Sequence, residues 1–247
     1  MKKMHVAAIL LFIAMLAIWE WVVHKLAISP LLLPAPSLIL STLLENLASG
    51  YFTPHIAQTL VEVLLGLLLG GGIGLAIGIA MGEYAIIRGL FMPYIIVSQA
   101  VPKLALAPLF ILWLGFGMTP KVVIVALICF FPLLENTVTA LQTVDHRQLE
   151  LFRALRASRI QTLLRLKIPA GLPGILAGFR IATILAIVGA VVGEFIGGSK
   201  GLGVVIIASQ SMMNTPLMFA DLVLLTLLGL LFYGAATLLE RMLVTKW

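Results

Sequence analysis

Five ionisable side chains stand inside long apolar runs: Glu62, Lys103, Glu135, Arg180 and Glu194. A charge at membrane depth costs ~2.5–3.5 kcal/mol on insertion scales, which makes each a candidate functional residue. Three acids against two bases do not build an anion-binding cavity; they favour a neutral or cationic ligand. Glu62, Glu135 and Arg180 lie near the ends of their runs, where they reach the interface at smaller cost. Glu194, between Gly193 and Phe195, reads either as a carboxylate at a pathway mouth or as an interfacial group paired with Lys200 or Lys103. Enzyme chemistry finds little support, since a nucleophile needs a base within reach. His5, His24, His55 and His146 all sit at segment ends, with no H-x-x-x-H spacing and no metal-ligand set. A G-x-x-x-x-G-K-[ST] phosphate loop is also missing, so the chain does not hydrolyse ATP by that route. The single cysteine, Cys129, forms no internal disulfide.

The elements that position these residues follow from composition. Hydrophobic residues make up 62% of the 247 positions, charged residues 11%, and the mean hydropathy is +1.16. A soluble domain carries about 25% charged residues, so lipid is the solvent for most of this chain. The fold class is an all-α integral membrane protein, because a spanning chain must satisfy its own backbone hydrogen bonds. Apolar segments over Val6–Val23, Ile56–Met81, Leu90–Leu114, Val122–Leu141, Leu172–Ile196 and Asp221–Leu239 predict about six transmembrane helices. The run after Met1-Lys2-Lys3 continues through Trp19-Glu20-Trp21, which reads as a retained first span rather than a cleaved signal.

With the N-terminus inside, eleven Lys and Arg fall on the inner side (Lys2, Lys3, Arg88, Arg147, Arg153, Arg156, Arg159, Arg165, Lys167, Arg241, Lys246) against three outside (Lys25, Lys121, Lys200). That bias places both termini in the cytoplasm. It also accounts for the net charge of +6 without nucleic acid as a partner.

Between the first two spans, prolines 30, 34 and 36 break the chain, and Ser37 is placed to cap a short helix over Leu38–Leu47. This helix, about residues 37–48, is expected at the outer interface. In the second span Gly66, Gly70, Gly74, Gly78 and Gly82 form a four-residue register on one face. Such a stripe lets another helix approach closely, for tight packing or as a sliding contact. The third segment is interrupted by Pro93, Pro102 and Pro108. Broken helices are tolerated at depth where they line a cavity or are buried in protein. Gln99, Pro102 and Lys103 are therefore candidates for a pathway lining, along with Glu194. The alternative is an ordinary kinked span with Lys103 snorkelling.

One loop, Asp145–Ala170, is strongly charged. Leu149, Phe152 and Leu155, then Ile160, Leu163 and Leu164, recur at three- and four-residue spacing, with Arg153, Arg156, Arg159 and Arg165 on other faces. The pattern predicts two short amphipathic helices hinged near Ala157-Ser158 and stopped by Pro169. Its role is open among anionic lipid binding, a solvated topological loop, and an apolar ridge presented to a groove on a soluble protein.

Glu150-Leu151-Phe152, followed by Ala157-Ser158 and closed by Ile168-Pro169, resembles the cytoplasmic loop of binding-protein-dependent ABC importer permeases. In that loop a Glu-Ala-Ala triplet is followed, after three intervening residues, by glycine. Here Leu151 and Phe152 stand for the alanines and Arg156 for the glycine. The resemblance extends along the chain. It takes in Leu33-Pro34-Ala35-Pro36-Ser37, Val101-Pro102-Lys103-Leu104-Ala105-Leu106-Ala107-Pro108-Leu109, Trp113-Leu114-Gly115-Phe116-Gly117, Phe131-Pro132 with Asn136-Thr137, Leu172-Pro173-Gly174-Ile175 and Gly201-Leu202-Gly203. These are similar to the nitrate/sulfonate/taurine group. The stretch Val192–Gly203 is similar to permeases for pyrimidine precursors of thiamine.

The resemblance implies a type I importer permease fold, one transmembrane permease domain over residues 1–247, in a bacterial plasma (inner) membrane. It implies a homodimer, two cytoplasmic ABC ATPase subunits carrying ATP and magnesium, and an extracytoplasmic solute-binding protein. This chain itself would bind no cofactor and be no enzyme. Residues Glu150, Phe152, Leu155, Arg156, Ala157, Ser158, Ile160, Leu163 and Pro169 would form the coupling loop against the ATPase. The solute would be a small organic molecule such as a pyrimidine thiamine precursor, with aliphatic sulfonate, taurine, nitrate or riboflavin as alternatives. A secondary transporter or channel is the remaining rival, for which inverted repeats are not evident.

Overall fold

The computed structural model describes residues 2–244, with side chains from residue 6; Lys246, counted above among the inner charges, lies outside them. The helices in chain order are α1 (Lys2–Lys25), α2 (Pro36–Ala48), α3 (Thr53–Gly66), α4 (Gly72–Glu83), α5 (Ala85–Ala100) and α6 (Ala107–Leu114). They continue as α7 (Met118–Gln142), α8 (His146–Ala154), α9 (Arg159–Thr162), α10 (Ile168–Gly197), α11 (Leu202–Ser211) and α12 (Thr215–Val244). No strand occurs among the described residues. Widened π turns at Leu67–Gly71 and Leu163–Lys167 join α3 to α4 and α9 to α10 without a break in the helical path. Among the described residues, five continuous helical stretches are long and apolar enough to cross a membrane, and the pair α5–α6, bent by 80°, brings the number up to six when taken as one broken span.

The chain divides into two compact units. One holds the segment up to Gln58 together with Lys200–Leu227; the other holds Thr59–Ser199 and the chain from Leu228 onward. In the first unit, Ser37 does not cap α2. Its hydroxyl donates to Glu20 Oε1 at 2.6 Å and its backbone N–H to Glu20 Oε2 at 3.0 Å, while α2 starts from Ala35 with Pro36 in its first turn. Ser37 lies inside the helix, past the cap position, and its hydroxyl instead donates to a carboxylate 17 residues away, a charged acceptor that makes a strong bond. Thr215 Oγ1 donates to Leu31 O at 2.7 Å, and Trp19 meets Phe219 edge-on at 6.2 Å.

The second unit is built on α7, which runs between α4 and α10. Each glycine of the stripe meets α7. A Cβ on Gly66 or Gly70 would overlap Val125 and Ala126, one on Gly74 would lie 2.5 Å from Phe130 O, one on Gly78 2.7 Å from Thr137 Cβ, and one on Gly82 2.8 Å from Leu141. α10 uses the same device on another face of α7. Gly178 closes on Asn136, Gly189 on Val125 and Ile128, and Gly193 on Lys121. Without hydrophobic driving force in lipid, such close approach supplies the van der Waals contact that holds helices together.

Candidate functional site

Two regions gather the residues singled out in the sequence. The first is the charged loop. Asp145 caps α8 by accepting Arg147 N–H at 2.9 Å. The helix ends in a Schellman motif: Ala157 N–H donates to Phe152 O at 3.0 Å and Arg156 N–H to Arg153 O at 2.9 Å. This closure demands a left-handed residue, and Arg156 supplies it with φ of 53°. The position that the resemblance gives to glycine is thus the one that needs glycine-like backbone. Ser158 then opens α9 through a capping box, its hydroxyl accepting Gln161 N–H at 3.2 Å while Gln161 Oε1 accepts Ser158 N–H at 2.8 Å. The hinge at Ala157-Ser158 is therefore a cap-to-cap turn.

The second short helix departs from expectation. Pro169 does not stop it: α9 passes through the Leu163–Lys167 turn into α10, and Pro169 sits in the first turn of α10. The helical path therefore runs from Arg159 to Gly197, well before the predicted start at Leu172. Inside this continuous path Pro169 has no N–H to give to the preceding turn, and the widened π turn at Leu163–Lys167 directly before it accommodates the proline.

The apolar ridge is also redrawn. Leu149, Phe152 and Leu163 are half-buried, and the large side chains left exposed are Leu151, Leu155, Ile160 and Leu164. Leu155 and Ile160 are 70% and 69% exposed. Glu150, Arg156 and Ser158 are exposed around them and Ala157 is half-buried. Lys167 Nζ donates to Glu83 Oε2 at 2.7 Å, tying the loop to the end of α4. Leu149, Arg153, Arg159 and Thr162 face Tyr84–Ile87 across a cleft of about 720 Å³.

The second region is a cavity of about 610 Å³ at the break between α5 and α6, lined by Gln99, Pro102, Lys103, Phe131, Glu135 and Asn136 among apolar side chains. Gln99 Nε2 donates to Glu135 Oε1. The Lys103 ammonium lies 4.2 Å from the centroid of the Phe131 ring, a cation–π contact rather than a snorkelling one. Pro132, inside α7, leaves the Ile128 carbonyl without its helical donor, and Ile128 also lines the cavity.

Glu194 is not among the lining residues. It is buried, at 1% exposure, and accepts the Thr59 hydroxyl at 2.6 Å. Glu62 is fully buried and pairs with Lys121, which the orientation count had placed outside and which is itself buried. Arg180 pairs with Glu240 at 3.2 Å and lies 6.0 Å from the Tyr233 ring. Sequence reasoning missed the Glu62–Lys121 pair, although two opposite charges in apolar context are themselves a signal of pairing.

Residues 72–244 match the family described as binding-protein-dependent transport system inner membrane component. The chain belongs to this family. Its relatives include the riboflavin transport system permease protein of Chloroflexus aurantiacus, 40% identical over 94% of this chain and 87% of that one. The formylaminopyrimidine transport permease protein of Halalkalibacterium halodurans is 34% identical over 95% and 93%, and the putative aliphatic sulfonates transport permease protein of Bacillus subtilis 35% over 97% and 86%. Among solved structures, an inward-facing MetNI methionine ABC transporter aligns with a TM-score of 0.61 at 20% identity, covering 78% of this chain and 94% of that one. That likeness gives the fold, the type I importer permease fold. This member of the family is a multi-pass inner-membrane permease subunit of an ABC importer and not itself an enzyme.

Proposed function

We propose that two copies of this chain form the solute pathway of an ATP-driven importer, with one cytoplasmic ABC ATPase seated on each Asp145–Ala170 loop. ATP and magnesium belong to the ATPase subunits, and the permease holds no cofactor of its own. An extracytoplasmic binding protein delivers the solute. The single observation that carries this reading is the exposed row Leu151, Leu155, Ile160 and Leu164 among arginines. A loop needed only for topology has no use for exposed leucines between spans, whereas a helix-in-groove contact uses apolar anchors at this spacing. Arg153, Arg156 and Arg159 supply the charged rim that steers the encounter.

The solute is a small organic molecule such as a pyrimidine precursor of thiamine. Relatives at 40% and 34% identity carry the names of riboflavin and formylaminopyrimidine permeases, two nitrogen heterocycles. The sulfonate and taurine relatives keep those solutes as the alternative, which a carboxylate on the cavity wall, Glu135, argues against.

Replacing Leu155 or Ile160 by Asp tests the docking. Each variant is expected to lose stoichiometric ATPase from the detergent-purified complex while the permease dimer remains intact by size and mass. ATPase retained at the wild-type ratio in both variants refutes the loop as its seat.

A further inference from the structure

We propose that the cavity at the α5–α6 break is a solute-selecting station in the pathway, built for a neutral, planar nitrogen heterocycle bearing N–H groups. The inference rests on the importer reading above and adds selectivity within this chain, beyond whatever the binding protein imposes.

Four side chains carry it. Glu135 and Phe131 stand one helical turn apart on α7 and both line the cavity. One oxygen of the Glu135 carboxylate takes the Gln99 amide. A carboxylate accepts at two oxygens and about four lone-pair positions, so it has capacity for the N–H groups of a solute edge. In the same cavity, the Lys103 ammonium has an aromatic face as its contact, with no carboxylate within ion-pair distance among the described residues. An ammonium held only by a ring exchanges a weak cation–π contact for a stronger charged hydrogen bond when an acceptor arrives. A ring nitrogen or carbonyl oxygen of a heterocycle is such an acceptor. Once Lys103 moves to it, the face of Phe131 is free to stack on the solute ring.

The same geometry discriminates. A sulfonate or carboxylate solute gains Lys103 but meets Glu135 as a like charge, which costs affinity in a low-dielectric site. A quaternary cation would compete with Lys103 for the ring. An aliphatic solute uses neither the donor nor the acceptor wall. The volume, about 610 Å³, lies within the 300–1,000 Å³ usual for small-molecule sites and has room for one or two fused rings. Irregular backbone at Val101–Pro102 is expected where a cavity replaces helix packing.

The test uses the full permease–ATPase complex in nanodiscs, without nucleotide or binding protein, with tritiated cytosine as the probe and methanesulfonate as competitor. Saturable cytosine binding that excess cytosine displaces and methanesulfonate does not is expected for the wild type. Glu135→Gln should weaken it by about tenfold to a hundredfold, the range for losing a charged hydrogen bond, and Phe131→Leu by about twofold to tenfold, the range for losing an aromatic ring contact. Lys103→Met serves as the companion variant should either of those fail to assemble. ATP hydrolysis by each preparation is recorded in parallel. An active complex that binds no cytosine, binds it equally after Glu135→Gln, or yields it to methanesulfonate overturns the station. Absence of ATPase from the wild-type complex instead overturns the importer reading beneath it.

Discussion

Arg156 holds a left-handed backbone at the end of α8, with φ of 53°. For an L-residue with a Cβ that conformation costs roughly 1–2 kcal/mol, and glycine gives back about 0.5–1 kcal/mol of this as chain entropy. Arg156→Gly is therefore expected to be neutral to about 1 kcal/mol stabilising for the loop, read as slower amide exchange in α8. Arg156→Val should accelerate it, since β-branched residues are poor in this region. Faster exchange in the glycine variant would show that the arginine side chain, rather than the turn, sets loop order. Glu62 and Lys121 form the other residue-scale test. Lys121→Met removes the counter-ion of a fully buried carboxylate, expected to cost about 3–5 kcal/mol, while Glu62→Leu combined with Lys121→Met should recover most of that. Thermal unfolding in detergent measures both, and a single variant as stable as the wild type would mean the pair contributes nothing.

At the scale of helices, the glycine register of α3–α4 is a packing device with a built-in control. A Cβ at Gly74 meets the Phe130 carbonyl at 2.5 Å, whereas one at Gly72 meets nothing within 4 Å. Gly74→Val should abolish recovery of folded permease. Gly72→Ala should be tolerated or add about 0.5–1 kcal/mol, as expected for an unstrained helical position. Equal expression and melting of the two variants would contradict close α4–α7 packing.

The period of this stripe was legible in the sequence because five glycines keep one register. Its counterpart on α10 was not, because Ala182 and Ala186 interrupt the glycines and the spacing shifts by one residue at Gly189. The break in the third span was legible from Pro102, and so were three lining residues, Gln99, Pro102 and Lys103. Phe131, Glu135 and Asn136 come to the same cavity from α7, a pairing of distant segments that periodicity does not encode. Pro169 and Ser37 were misread for a related reason. Each has a local rule that points one way, and a neighbour distant in sequence or a continuous helix decides the other. Leu151 entered the sequence reading only as a departure from an alanine, yet its exposure makes it part of the ridge.

Across the whole molecule, the proposed docking loop and the proposed solute station are joined through packed helices. α8 and α9 present apolar side chains outward, and Lys167–Glu83 fastens the loop to α4, which packs on α7, the helix that carries Phe131 and Glu135. A push on the loop therefore has a contiguous packed route to the cavity wall. The measurement that bears most directly on this coupling is solute uptake by proteoliposomes containing the permease, its ATPase and its binding protein. Accumulation is expected only when hydrolysable ATP and magnesium are present on the ATPase side, and is expected to fall to background in Leu155→Asp. Uptake by the permease alone, at the same rate with and without ATP, would contradict an ATP-driven importer and leave a channel or secondary transporter in its place.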